Sequence, residues 1–472
     1  MTTAPTNLDR TTIALVILHA LVSNPKRYEY IETLAKTTDM TNEELTNKNI
    51  NKVSEEDRPI HAWYRFVLSF PPHLVRHYLD RFGVNAHHVV LDPFCGTGTT
   101  LVEAKKCNIA GHGIEANPMA VLASKVKTNW TVCPNELKIA AESIVSSLEP
   151  TAIPLNAGQV DSAICEQETL YGLLDLDAEV KKLILANSIS PLPLHRSLLL
   201  KSKIDLARDD IRDHLRLGLA WTLVNAAGNV RFGPEVGVTK PKLDVDVNLE
   251  WLNQIRRMCS DLTELGDRAN VSSNVHYADA RIMPESLPKN SVDFVFTSPP
   301  YPNEKDYTRT TRLESVILGL IQSKDELRKL KQGLVRSNTR NVYVSDDDHL
   351  YVESIPEIQN LANQIEQRRL ELGKTSGFER LYHRVTKLYF GGMAKHFREL
   401  SSVLKPGAVL GYVVGDQASY LRVMIRTGQL IAQIAEREGY EVISIDLFRT
   451  RYATATRENL REEVVVLRWP GG

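Results

Sequence analysis

The chain has 472 residues and a mass of 53.1 kDa, which is enough for two or three domains with sizeable cores. Hydrophobic residues make up 43% of it and charged residues 24%, a composition that excludes disordered and fibrous classes. The formal net charge of −1 excludes a globally basic nucleic-acid binder, although a local basic groove stays open.

Cysteine spacing and hydropathy indicate the setting of the protein. The five cysteines form no CxxC pair and have no metal-ligand spacing with histidine. This argues against a disulfide framework or a zinc site and favours a reducing cytoplasm. The apolar run at residues 13–22 lacks a small-residue cleavage site, so we interpret it as a core-facing helix rather than a signal sequence. No other run approaches the length of a membrane span, and we expect a cytoplasmic protein without a membrane partner.

Residues 1–57 are predicted to be a helical N-terminal segment. Two short helices around residues 37–39 could form a helix-turn-helix that contacts DNA, but a helical cap on the main domain is the favoured interpretation. The aromatic-rich stretch at residues 58–81 follows. Its Pro71 and Pro72 suit the first turn of a helix.

A short apolar strand at residues 88–91 runs into a tight turn that contains Gly96 and Gly98, and a helix is predicted after it. The two glycines permit positive φ and a close backbone approach. The start of the helix leaves N–H groups free above the strand end. The third glycine of the dinucleotide-binding fingerprint is missing, so this turn predicts a different ligand.

Two further strands are predicted to end in acidic residues. Glu115 ends the strand at residues 111–115, and a carboxylate there suits two vicinal ribose hydroxyls. Asp279 ends a third strand that is predicted within residues 274–281. Each could also be a solvated strand-end acid, but the spacing of Glu115 after the glycine loop favours ribose binding.

The fourth strand, residues 292–296, stops at Ser298, Pro299, Pro300 and Tyr301. Two prolines cannot continue a central strand because they lack backbone donors and fix φ. We therefore expect the carbonyl groups of Ser298 and Pro299 to be available to a ligand.

Alternating strands and helices predict the fold class, an α/β doubly wound, Rossmann-like, largely parallel sheet of about seven strands. The remaining strands are predicted at residues 404–416, 441–445 and 463–468, with a helix at 429–438. Ligands bind beyond the carboxyl ends of such strands, so all four motifs can converge on one cleft. Large mostly helical insertions are predicted at 125–273, with helices at 177–185 and 206–224, and at 303–381. Either could be the part that recognises DNA.

Residues 92–99, DPFCGTGT, and residues 297–301, TSPPY, together resemble the S-adenosylmethionine-dependent DNA amino-methyltransferase family. The first matches the DPFxGxGT cofactor signature and the second the Asp/Asn/Ser-Pro-Pro-aromatic catalytic loop. The resemblance implies a methyltransferase domain at 58–124 and 274–472, and direct methyl transfer to the exocyclic amino nitrogen of a flipped base. The catalytic residues it implies are Ser298, Pro299, Pro300 and Tyr301, with Ser298 and the Pro299 carbonyl as acceptors and Tyr301 as the stacking ring. The cofactor-binding residues it implies are Phe70, Asp92, Pro93, Phe94, Gly96, Gly98, Thr99, Glu115, Asn117, Asp279 and Ala280.

The implied cofactor is S-adenosyl-L-methionine and the implied partner is double-stranded DNA. We find no convincing Asp…Glu-x-Lys nuclease site in the sequence, so a restriction endonuclease or other defence protein would be a separate chain. Cytosine carbon-5 methylation is disfavoured because no Pro-Cys pair exists. In the family that the chain resembles, Ser at the first loop position favours cytosine N4, whereas Asp favours adenine N6. An RNA guanine-N2 methyltransferase and a non-catalytic DNA-binding relative stay open as alternatives.

Overall fold

The computed structural model describes residues 53–65, 69–148, 172–233, 236–265, 270–303, 305–453 and 457–472. The N-terminal helices and the helix-turn-helix predicted within residues 1–52 lie outside the described residues. The strands are β1 Val89–Asp92, β2 Ala110–Glu115, β3 Val230–Arg231, β4 Gly237–Val238, β5 Ser273–Tyr277, β6 Val292–Thr297, β7 Leu404–Gly415, β8 Glu441–Ala453 and β9 Glu458–Arg468.

Seven of these strands form one sheet in the order β5-β2-β1-β6-β7-β9-β8. The pairs from β5 to β7 are parallel, whereas β9 is antiparallel to both β7 and β8. The predicted doubly wound, Rossmann-like methyltransferase sheet of about seven strands is confirmed. The carboxyl ends of β1, β2, β5 and β6 lie at one edge of it, because parallel strands point the same way.

The helices mostly begin where the sequence supplies a proline or a capping side chain. Proline occupies the first turn of α2, α4, α5, α7 and α13, where its missing N–H costs nothing. The bounds are α1 Arg58–His61, α2 Pro72–Arg81, α3 Thr99–Lys106, α4 Pro118–Thr128, α5 Pro134–Ser146, α6 Ala178–Lys181, α7 Pro191–Ile204, α8 Asp209–Thr222, α9 Val247–Glu264, α10 Tyr307–Thr310, α11 Arg312–Ile317, α12 Lys324–Gln332, α13 Pro356–Glu371, α14 Tyr382–Leu400 and α15 Thr427–Arg437.

Helices cover both faces of the sheet. This is required because successive apolar side chains of β6 point to opposite faces. Phe294 and Phe296 face α2, where Tyr78 lies in the same cluster. Val295 faces the opposite side, where Phe390 and Phe397 of α14 lie. Neighbouring side chains of one buried strand therefore belong to two cores.

The helical insertion is continuous with the methyltransferase sheet. Helices α5, α7, α8 and α9 share one apolar cluster with α4 and with Leu313 and Ile317 of α11. The predicted boundary at residues 124–125 lies inside α4. Segment 303–381 is also integrated, because Ile358 and Ile365 of α13 lie in the same cluster as α14.

Four predicted elements differ from the structure. The helix expected at 177–185 is the single turn α6, and the helix expected at 206–224 is α8 followed by a π-helical turn, Leu223–Ala227. Strands β8 and β9 extend well beyond the predicted 441–445 and 463–468. The additional parts of the two strands contain charged residues such as Arg449 and Glu462 at alternating positions. A hydrophobicity pattern therefore does not indicate these parts of the strands.

Candidate active site

A cavity of about 510 Å³ opens at the carboxyl ends of β1, β2, β5 and β6, within the range of small-molecule sites. Thirteen of the fifteen predicted site residues line it, and only Asp92 and Gly98 lie behind its wall. The four motifs therefore converge, as expected from a parallel sheet. The residues that line it are Phe70, Pro93, Phe94, Gly96, Thr99, Glu115, Asn117, Asp279, Ala280, Ser298, Pro299, Pro300 and Tyr301.

The glycine loop between β1 and α3 requires its glycines. Gly96 and Gly98 have φ of +50° and +84°, a region that other residues rarely adopt. A Cβ on Gly98 would lie 2.9 Å from Ser124 Oγ of α4. That hydroxyl donates a 2.8 Å hydrogen bond to the Gly96 carbonyl. Gly98 thus allows α4 to fix the loop that lines the cavity.

Asp92 lies behind the cavity wall and connects the loop after β1 with the loop after β6. Its Oδ1 accepts hydrogen bonds from Thr297 Oγ1 at 2.6 Å and from the Phe94 N–H at 3.2 Å. Its Oδ2 is buried and has no partner among the described residues. Burial raises the pKa of Asp92 to about 6. Because Thr297 directly precedes Ser298, Asp92 ties the glycine loop to the catalytic loop.

Glu115 lies at the cavity wall with both carboxylate oxygens engaged by backbone. Oε2 accepts from the Gly96 N–H at 2.9 Å and Oε1 from the Asn117 N–H at 2.7 Å. Each oxygen keeps a further acceptor position, so two hydroxyl groups can still bind. Burial raises the pKa of this carboxyl to about 7.

The Asn117 side chain is used to build the wall. Its Oδ1 accepts from the Met119 N–H at 3.0 Å and caps α4. Its Nδ2 donates to Thr311 Oγ1 at 3.1 Å, which links α4 to the segment after the catalytic loop. A cofactor contact of Asn117 stays a prediction.

Asp279 is held by an arginine that sequence reasoning missed. Arg281 Nη2 lies 2.6 Å from Asp279 Oδ2, and Arg281 Nε lies 3.0 Å from Oδ1. The same buried guanidinium binds Asp348 and donates to the Gln332 carbonyl. Arg281 thus orients Asp279 and joins it to the segment after the catalytic loop. The nearby signal was an Asp-x-Arg sequence directly after a strand.

The neighbouring Ala280 carbonyl lies 2.7 Å from His396 Nδ1, which donates to it. His396 Nε2 then accepts from the Tyr412 hydroxyl at 2.6 Å. Burial lowers the pKa of His396 to about 4, so the ring is neutral at pH 7. The centroid of its ring lies 4.9 Å from that of Phe94, so His396 supports this part of the cavity from the core.

In the catalytic loop, Ser298 Oγ lies 3.0 Å from the Val413 carbonyl. A serine hydroxyl has one hydrogen and two acceptor lone pairs. A carbonyl can only accept, so the hydrogen of Ser298 is committed to β7. The Tyr301 hydroxyl lies 3.5 Å from the same Oγ. Ser298 therefore presents its lone pairs rather than its proton to the cavity.

Tyr301 is held on several sides. Its N–H donates to the Tyr307 hydroxyl at 3.3 Å, and a Cβ on Gly415 would lie 3.2 Å from its ring atom Cε2. Burial and then the charge of Glu462 raise the pKa of Tyr301 well above its usual value. The phenol is therefore neutral at physiological pH.

The segment before the glycine loop is anchored by its aromatic residues. Trp63 Nε1 donates to Asp261 of α9 at 2.6 Å, and the Tyr64 hydroxyl donates to Glu314 of α11. Phe70 meets the Phe296 ring edge-on at 5.6 Å. This segment therefore links the helical insertion to the cavity.

Residues from the C-terminal hairpin complete the cavity and were missed from the sequence. Phe448, Arg449 and Glu462 all line it. They follow no motif, and their only signal was alternation of charged residues beyond the predicted strand ends.

In the described part of the chain, no group of three or more His, Cys, Asp or Glu could hold a metal ion. No helix among the described residues is long and apolar enough to cross a membrane.

The chain is similar to known DNA methyltransferases. A family model described as DNA methylase, of the N6/N4 methyltransferase type, matches residues 20–125. The type II methyltransferase M.BsoBI of Geobacillus stearothermophilus is 27% identical over 94% of this chain and 89% of its own. These similarities support an amino-methyltransferase family for the chain. The chain is also 23% identical to M.AvaI of Nostoc sp. over 91% of this chain and 90% of that protein. M.MvaI of Kocuria varians is 21% identical over 88% of each chain.

Proposed function

We propose that this DNA methyltransferase transfers the methyl group of S-adenosylmethionine to the exocyclic N4 of cytosine in double-stranded DNA, after the base is flipped into the cavity. The observation that best supports transfer to an amino nitrogen is the hydrogen bond from Ser298 to the Val413 carbonyl. It makes the serine an acceptor, and an amino group that is to be methylated needs an acceptor for its hydrogens. The choice of cytosine over adenine rests on the resemblance of the serine-containing loop to the family motif.

The cavity fits S-adenosylmethionine. A Cβ on Gly96 would meet no atom within 4 Å, so the loop backbone borders open space. Glu115 offers acceptors for ribose hydroxyls, and Asp279 offers a carboxylate beside Ala280 for the adenine amino group. Phe70, Pro93, Phe94 and Thr99 line the remainder. When bound, the cofactor supplies an electrophilic methyl group.

The residues of the catalytic loop then position the target amine. Ser298 Oγ and the Pro299 carbonyl accept its hydrogens, which directs the nitrogen lone pair toward the cofactor side of the cavity. The prolines keep the Pro299 carbonyl out of any strand ladder. Tyr301 packs against the face of the flipped base, and the Tyr307 hydroxyl fixes the loop backbone at Tyr301.

We propose that residues 125–273 contribute the main DNA-recognition surface, with 58–124 and 274–472 as the catalytic domain. The ribbon β3–β4 supports this, because Val230 and Phe232 lie beside Arg309 and Thr310, just after the catalytic loop. Arg231 and Lys240 are exposed on and beside the ribbon. A basic exposed ribbon next to the site suits phosphate contacts. A restriction endonuclease encoded as a separate chain is the proposed partner.

The test is methyl transfer from labelled S-adenosylmethionine to unmethylated DNA and, separately, to RNA. We expect DNA to be labelled and Ser298→Ala to lower kcat at least about 100-fold, because an acceptor aimed at the reacting group is lost. Cofactor affinity, measured by calorimetry, should stay within about twofold. Ser402→Ala is the matched control, because it removes an exposed hydroxyl that donates to the Glu399 carbonyl and does not line the cavity. Labelling of RNA alone would contradict the proposed substrate.

A further inference from the structure

A β-bulge directs two consecutive residues of β8 to the cavity. The register between β8 and β9 shifts between Leu447 and Arg449. Phe448 and Arg449 both line the cavity, although strict alternation would send neighbours to opposite faces. Bulges re-aim side chains and are common next to active sites. The bulge therefore places a cation in a cavity otherwise lined mainly by loops.

The Arg449 guanidinium is fixed by one carboxylate. Arg449 Nε lies 2.6 Å from Glu462 Oε2, and Nη2 lies 2.8 Å from Oε1. The two side chains are 25% and 17% exposed. A bidentate pair sets the plane of the guanidinium as well as its position. Nη1 makes no hydrogen bond within the described part of the chain and keeps its donors for a ligand.

This ion pair adjoins the proposed base-stacking ring. Glu462 is opposite Arg449 on one side and Gly415 on the other, so the three residues form one row across β8, β9 and β7. A Cβ on Gly415 would lie 3.2 Å from both Glu462 Cγ and Tyr301 Cε2. The row therefore ends beside Tyr301. Because Gly415 has no side chain, the space between Glu462 and Tyr301 stays free.

The chemistry of the two candidate bases differs at the position that such a donor would contact. Cytosine presents an amino donor and then two acceptors, N3 and O2, along its pairing edge. Adenine presents an amino donor, the acceptor N1 and then a C–H group. Ser298 and Pro299 supply acceptors for either amino group, so they do not discriminate. A fixed cationic donor beyond them favours the base with the second acceptor.

We propose that Arg449, oriented by Glu462, donates a hydrogen bond to O2 of the flipped cytosine and so determines which base is methylated. This inference rests on the proposed cytosine-N4 activity and deepens it. Arg449 is a specificity-determining residue of the substrate pocket, and Glu462 is its positioning residue.

The experiment compares wild type, Arg449→Met and Arg449→Lys on enzymatically amplified, unmethylated bacterial DNA. N4-methylcytosine and N6-methyladenine are quantified by mass spectrometry of nucleosides. Arg468→Met is the matched control, because Arg468 pairs with Glu441 across the same two strands at the other end of the hairpin. Affinity for S-adenosylmethionine and the salt dependence of DNA binding are measured for each variant.

We expect Arg449→Met to lower the N4-methylcytosine rate about 30-fold or more, as for loss of a charge-assisted hydrogen bond, and to raise the N6-methyladenine share. Cofactor affinity and the salt slope should not change. Arg449→Lys should recover little activity, because an ammonium cannot keep the bidentate geometry. If Arg449→Met fails to fold, the Arg449→Lys variant provides the test.

Two results would overturn the inference alone, with wild type still forming N4-methylcytosine. One is activity of both Arg449 variants within about threefold of wild type. The other is a loss of activity in a variant whose DNA affinity also depends less on salt. A slope of log affinity against log salt concentration that is smaller by about one marks a lost phosphate contact. A wild type that forms only N6-methyladenine would instead contradict the proposed function from which the inference starts.

Discussion

The cavity has two halves that are built differently. The half that we propose binds the cofactor, called the cofactor half, consists of short contiguous stretches at strand ends, around Gly96, Glu115 and Asp279, and much of its geometry comes from the backbone. The target half combines one such stretch, Ser298 to Tyr301, with side chains of the hairpin β8–β9. Backbone-built sites leave a recognisable motif, because glycine and proline are required at fixed positions. Sites built from side chains across strands do not.

The halves are also physically joined. Thr297 donates to Asp92, and Asn117 donates to Thr311, so each half contributes a buried hydrogen bond to the other. Changes confined to one half should nevertheless separate cofactor binding from turnover. The predictions below test that separation.

The largest effect is expected in the target half. Tyr301→Ala should lower kcat/KM about 30-fold, because stacking of a base on an aromatic ring contributes about 1–3 kcal/mol. Tyr301→Phe keeps the ring and should stay within about threefold. Steady-state kinetics on DNA and calorimetry with S-adenosylmethionine give both readouts. A Tyr301→Ala protein that methylates like wild type would show that Tyr301 does not stack on the base.

In the cofactor half, Gly98→Ala should weaken S-adenosylmethionine binding about tenfold. The new methyl group would lie 2.9 Å from Ser124 Oγ and displace the hydroxyl that fixes the Gly96 carbonyl. Gly407→Ala is the matched control, since Gly407 has a similar φ of +87° but open space around a Cβ. Both variants should lose about 1–2 kcal/mol of unfolding free energy from backbone strain. Equal cofactor affinity in the two variants would contradict the role of Gly98.

The smallest effect concerns pH. Burial raises the pKa of Glu115 to about 7, and ribose hydroxyls donate best to the ionised carboxylate. The ionised fraction rises from about 10% at pH 6 to about 90% at pH 8, so cofactor affinity should increase up to about ninefold over that range. Without cofactor, the raised pKa makes Glu115 stabilising at low pH, and this contribution is lost as pH rises through 7.

Calorimetric titrations at pH 6, 7 and 8 measure this linkage, with Glu115→Gln as the control. The variant should bind more weakly, and this part of the pH dependence should disappear. Affinity that falls between pH 6 and 8 in the wild type, in parallel with the variant, would show that Glu115 does not accept the ribose.

The sheet and the cofactor half were predictable from sequence, and the target half only partly. Apolar strands such as 292–296 alternate with helices along the sequence, and this alternation predicted a largely parallel sheet. The antiparallel place of β9 between β7 and β8 depends on long-range pairing that local periodicity does not encode. Arg449 could not be identified for the same reason, since a bulge at Leu447–Arg449 reverses the alternation. The role of Arg281 was missed as well, because the Asp-x-Arg sequence alone does not show that Asp279, Gln332 and Asp348 meet around it in the folded chain.

The most direct test of the account is mass spectrometry of nucleosides from the DNA of cells that express the protein, beside cells that express Ser298→Ala. The account predicts an N4-methylcytosine peak with wild type that disappears with Ser298→Ala, while the variant still binds S-adenosylmethionine. N6-methyladenine in its place, or no methylated base in DNA despite intact cofactor binding, would contradict the proposed reaction.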